Sequence, residues 1–107
     1  ASMYWLINLH VMSIGTALIA LSRTLAWFRE HLIISGLGPG RIDIITGWGR
    51  RSRVMGSSLV KQSIEHLLHL FESPFQVDDG NSGCLVGSGN PLTVWLHQPY
   101  VERMHLL

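Results

Sequence analysis

Residues 41–61 read RIDIITGWGRRSRVMGSSLVK, and the rest of the chain is read outward from them. Arg41-Ile42-Asp43-Ile44-Ile45-Thr46 is short, β-branched and apolar on both faces, the pattern of a strand in the middle of a sheet. Gly47-Trp48-Gly49 follows, where two glycines admit positive φ and leave backbone N–H groups uncovered. Arg50, Arg51 and Arg53 come next, and Gly56-Ser57-Ser58 opens an apolar-periodic helix that carries a further cation, Lys61. A glycine turn, an arginine cluster and a helix start in that order suit an anion, phosphate above all. The plain alternative is a tight strand-to-helix connection with solvated arginines.

Upstream, Tyr4 to His10 reads as a first strand, with Trp5, Ile7 and Leu9 on one face and Tyr4, Leu6, Asn8 and His10 on the other. Ser13 is a candidate N-cap. Behind it Ile14, Leu18, Leu21, Leu25, Phe28 and Leu32 recur every three or four residues, so a helix should run to Ser35-Gly36 with this stripe inward. Ser22, Arg23, Arg29 and Glu30 fall mostly off the stripe, and Gly38-Pro39-Gly40 reads as a turn. Strand, helix and strand make a βαβ unit whose two strands should be parallel. Asn8 and His10 then share one sheet edge with residues 46–49, the edge at which open α/β sheets bind ligands.

Downstream, a second helix is expected over 58–72, with Val60, Ile64, Leu67, Leu68 and Phe71 inward. Phe75 to Val77 and Gly83 to Val86 should pair as antiparallel strands across the turn at 78–81. A short helix with Leu92, Trp95 and Leu96 is expected to close at Gln98-Pro99, and 101–107 reads as a last edge strand.

Length and composition set bounds. At 107 residues there is room for one domain, with residues 1–3 read as a linker or cloning remnant and 4–107 as the domain. Net charge is +1, yet three of the eight Lys and Arg residues fall within 50–53. The single Cys84 excludes an internal disulfide. The weakly polar run around 11–21 is too short to span a bilayer, so no membrane partner is expected. His66 and His69 lie three apart but lack a third ligand, and neither a metal nor another cofactor is expected.

Trp48 is a large aromatic between two glycines. It suits stacking on an unpaired base or, equally, folding back as a lid. His10 is either a hydrogen-bonded structural residue or, beside the arginines, one that meets a phosphate.

Ile7-Asn8-Leu9-His10 resembles the LDLH motif of Smr (small MutS-related) domains, and Thr46-Gly47-Trp48-Gly49 resembles their [H/T]GxG motif. The likeness covers nearly the whole chain. The form TGWG followed by RRSR resembles a plant subgroup in which an Smr domain ends a pentatricopeptide-repeat protein of the chloroplast, a subgroup that includes a member associated with the plastid transcriptionally active chromosome. The resemblance implies an α/β two-layer sandwich, similar to the C-terminal domain of bacterial translation initiation factor three. Such a fold has a mixed four- or five-stranded sheet on the N-terminal βαβ unit and helices mainly on one face. It implies nucleic-acid binding, single-stranded RNA favoured and DNA an alternative, with endonuclease activity in several relatives. His10, Asn8 and Thr46 would be the catalytic positions, and Gly47, Trp48, Gly49, Arg50, Arg51, Arg53 and Lys61 the binding ones. Asn8 stands where the family has an acid, which puts cleavage in doubt and leaves binding intact. Three readings compete: binding with weak cleavage, binding alone, and docking to proteins of a plastid transcription assembly.

Overall fold

The computed structural model describes residues 3–47 and 56–106, with side chains for 3–47 and 59–104. Strand β1 (Met3–Asn8) leads into helix α1 (Ile14–Ser35), and strand β2 (Pro39–Ile45) returns beside β1. Helix α2 (Gly56–Leu70), strands β3 (Gln76–Asp78) and β4 (Asn81–Ser88), helix α3 (Gly89–Leu96) and a 3-10 helix (Pro99–Leu106) complete the order. The four-stranded sheet runs β1-β2-β4-β3, with β1 and β2 parallel and the other two neighbours antiparallel. The expected mixed sheet on a βαβ unit is thus observed, with the central strand where its two-sided apolar pattern put it.

Local chemistry accounts for the boundaries. Ser13 Oγ accepts from Thr16 N–H and caps α1, whose other end closes on Gly36 at φ 74°, its N–H bonded to the Leu32 carbonyl. Leu21, Leu25, Phe28 and Leu32 of α1 meet Ile42, Ile44 and Leu85 of the sheet, Ile64 and Leu68 of α2, and Leu92 and Leu96 of α3 in one core. All three helices therefore cover the same sheet face. Ser22, expected off the stripe, is buried, because its hydroxyl is satisfied by the Ile19 carbonyl one turn back.

Three expectations are corrected. Pro39 and Gly40 do not form a turn; they begin β2, and a proline is tolerated at the first position of a strand. Met3, counted with the linker, belongs to β1. The expected last strand is absent from 101–106, which belong to the 3-10 helix, and residue 107 lies outside the described residues. Val101 and Met104 are fully buried three residues apart, a spacing a 3-10 turn brings to one side, whereas a strand would have buried Arg103 beside Val101. Arg29 ties this helix to α1 through the Gln98 carbonyl at 3.0 Å and Glu102 at 3.6 Å.

Among the described residues the other sheet face carries no helix. On it Asp43, only 8% exposed, accepts from Tyr4 Oη at 2.9 Å and from Arg41 Nε at 2.8 Å. The bond to Asp43 pushes the Tyr4 phenol up, and the same carboxylate pushes the Arg41 guanidinium up. Cys84 lies on this face opposite Ile45; burial, then the Asp43 charge, raises its thiol.

Candidate nucleic-acid interface

The parallel pairing sets Asn8 beside Ile45, so the turns after β1 and β2 leave the sheet together. Leu9 N–H continues the ladder to the Ile45 carbonyl, and His10 follows at the first position of the turn. Asn8 Oδ1 accepts the His10 N–H at 3.0 Å, an Asx turn that orients the backbone under the histidine.

His10 lies directly on Gly47. A methyl group built there would overlap the imidazole carbon Cδ2 and come within 2.9 Å of Nε2. Gly47 also holds φ at 70°, so glycine is required twice, by conformation and by the close approach of the ring. Thr46 is buried beneath them. Its N–H and that of Gly47 both bond to the Gly83 carbonyl, at 2.9 and 3.2 Å. The Thr46 hydroxyl lies 3.1 Å from the Gly47 carbonyl and 3.3 Å from that of Gly83. Its proton is spent on the protein backbone, which makes Thr46 a support of the turn.

A cavity of about 320 Å³ opens at this edge. His10, Val11 and Met12 form one wall, Ser13 and Ile14 at the start of α1 another, Leu9 and Thr46 the floor, and Val60 of α2 the far side. Lys61, half-buried, is the next residue of α2 and stands outside the lining. Trp48, Gly49, Arg50, Arg51 and Arg53 lie outside the described residues.

Two contributors went unread in the sequence. The Gly83 carbonyl anchors the glycine turn from another strand, and no local pattern announces a backbone acceptor. Val11 is 96% exposed with φ at 88°, a left-handed conformation that is unfavourable for a β-branched residue. Sequence offered one sign of it, an isolated valine between the strand and the Ser13 cap.

Asp43 is the nearest acidic candidate in sequence, and the fold takes it elsewhere. Its carboxylate is held by Tyr4, four residues before Asn8 on β1, and by Arg41. Among the described residues no three His, Cys, Asp or Glu side chains are grouped to hold a metal ion, and no helix is long and apolar enough to cross a membrane.

No family model matches this chain, and no solved structure does. Two pentatricopeptide repeat-containing proteins of Arabidopsis thaliana are each 68% identical to it over 104 residues, which is 97% of this chain and 12% of each relative. A mitochondrial pentatricopeptide repeat-containing protein of the same plant is 30% identical over 102 residues, covering 95% of this chain and 11% of that relative. The close homologues of this chain are therefore segments of pentatricopeptide repeat-containing proteins, and it spans about 12% of the length of the first two.

Proposed function

We propose that this chain is an Smr-type domain that binds single-stranded RNA, carried by a plant plastid pentatricopeptide-repeat protein, and that it can cut the bound strand weakly. One observation carries the reading: the imidazole of His10 rests on Gly47, so the two motifs that resemble those of Smr domains meet at one sheet edge. Phosphate held by Arg50, Arg51 and Arg53 would then lie next to His10. The relatives support the choice of RNA, since pentatricopeptide repeats read RNA one base per helical repeat.

The chemistry open to these residues on RNA needs only the substrate's own nucleophile. The 2′-oxygen attacks the neighbouring phosphorus while His10 takes its proton. The bond from phosphorus to the 5′-oxygen breaks, that oxygen leaves with a proton taken from solvent water, and a 2′,3′-cyclic phosphate remains. Arg50 and Arg51 offset the charge that grows on the phosphoryl oxygens.

Salt dependence tests the binding half. Three arginines on the phosphates of a single strand should give log K against log[salt] a slope of about −2. Replacing Arg50, Arg51 and Arg53 together with alanine should flatten that slope and weaken binding to every sequence alike. A triple variant that titrates like the parent would remove the interface from this loop.

Trp48 provides a second measurement. Base stacking on an aromatic contributes about 1–3 kcal/mol. Trp48→Ala should therefore weaken single-strand binding by about tenfold or more and duplex binding much less. Equal losses on both, together with a lower melting temperature, would make the indole a lid on the core.

The plastid address is tested by a fluorescent fusion of the full-length protein. Mitochondrial fluorescence, the compartment in the name of the 30% identical relative, would overturn it.

A further inference from the structure

The two edges of the sheet are finished differently. β3 ends it with three residues, of which Asp78 is charged, a short edge that discourages further pairing. β1 ends it on the other side with six residues, MYWLIN, that contain no charge and no proline. An apolar edge of that length invites another chain unless something covers it.

A second uncovered surface adjoins it. Trp5 of β1 meets Trp27 of α1 edge to face, with ring centroids 6.1 Å apart, and Trp27 stacks on His31 at 5.3 Å. Trp27 is nevertheless 51% exposed and Ile34, two turns along the same helix face, 76%. A groove of about 600 Å³ runs along the outer face of α1, with Trp27, Ile33 and Ile34 as apolar walls, Arg23 and Glu30 among its polar residues, and Arg29 with Glu102 of the 3-10 helix on its far side. Leu37, just past the end of α1, is also exposed. Arg23, Trp27, Glu30 and Ile34 follow one another at intervals of four, three and four, the spacing of a ridge against which another helix packs.

We propose that this face is the seat of a helix from the pentatricopeptide-repeat array of the same polypeptide, lying along α1 and over the β1 edge. The proposal goes beyond the nucleic-acid reading and rests only on its repeat-bearing part. A strand from a second copy would pair with β1 and leave the α1 ridge open, whereas a helix alongside α1 covers that ridge and reaches the β1 edge at Trp27, which packs on Trp5. The occupant is also at hand, because this chain accounts for 12% of each close relative, and those relatives are repeat-containing proteins. A helical solenoid in turn needs its terminal repeat covered, since each repeat buries its apolar face only against a neighbour. The consequence is a domain held rigidly at the end of the array, so that the strand read by the repeats reaches His10 at a fixed spacing.

The test uses the full-length protein with Ile34→benzoylphenylalanine, irradiated and digested, with adducts mapped by mass spectrometry. An intramolecular adduct to a repeat helix is expected. Adducts only between two copies, adducts only to some other protein, or no protein adduct would each overturn the proposal, as would a full-length sequence without repeats. A second variant, Trp27→Ser, should leave RNA binding unchanged and speed proteolytic cleavage between array and domain by tenfold or more. An unchanged cleavage rate would also overturn it. RNA binding on the same preparations reports separately on the nucleic-acid reading, which stands or falls without this interface.

Discussion

Gly47→Ala should destabilise the domain by more than the ordinary glycine-to-alanine change and weaken RNA binding at least tenfold. The left-handed backbone at Gly47, φ 70°, costs a residue with a Cβ about 1–2 kcal/mol by itself. The new methyl would in addition occupy the place of the His10 ring, which must turn away or lift the turn from the Gly83 carbonyl. For a domain of this size each kcal/mol lowers the melting temperature by about 4–8 °C. The two costs separate in a double-mutant cycle. With His10→Ala already present the overlap is gone, and Gly47→Ala should then cost only its backbone term. Equal costs in the two backgrounds would show that ring and glycine do not meet, and the proposed site would lose its geometry.

How much of this was legible beforehand depends on how far apart the deciding atoms lie in sequence. The stripe from Leu21 to Leu32, the Ser13 cap and the Gly36 stop are local, and they were readable because helix periodicity and capping act within one or two turns. The meeting of His10 with the turn after β2 spans 37 residues, yet it followed from the parallel pairing that a βαβ pattern implies. What could not be read depends on partners that no pattern joins. Thr46 offers a hydroxyl as if to a ligand, and only the return of β4 shows it spent on backbone carbonyls. Asp43 is the acid closest in sequence to the glycine turn, and only the fold shows its carboxylate held by Tyr4 and Arg41. The last segment misled for another reason: Val101 and Met104 carry too few apolar positions to tell a period of two from a period of three, and the anchor that decides it is Arg29, far back on α1.

His10→Ala should lower any RNA cleavage by about 100-fold to 10,000-fold, the usual worth of a positioned general acid or base, while binding changes little. Cleavage by the parent domain should be weak, confined to RNA and indifferent to chelator. The reason lies in what surrounds the imidazole. Among the described residues its neighbours include a glycine and a backbone-bonded threonine, while the carboxylate of Asp43 is committed to Tyr4 and Arg41. On the proposed route the nucleophile comes from the substrate, whose 2′-hydroxyl is already placed beside the phosphorus. Asn8→Asp is the informative perturbation, because Asn8 now uses Oδ1 to hold the His10 N–H at 3.0 Å. A carboxylate keeps that acceptor, so the turn should survive while a negative charge appears at the backbone N–H of His10. If an acid at this position recruits a cation in relatives that cut, the variant should cut faster than the parent and lose the gain when chelator is added. End-labelled RNA and DNA incubated with parent, Asn8→Asp and His10→Ala proteins, with and without chelator, measure all of this together. DNA cleavage by the parent that chelator abolishes and His10→Ala leaves untouched would rule out the 2′-hydroxyl route and make His10 a structural residue of the turn.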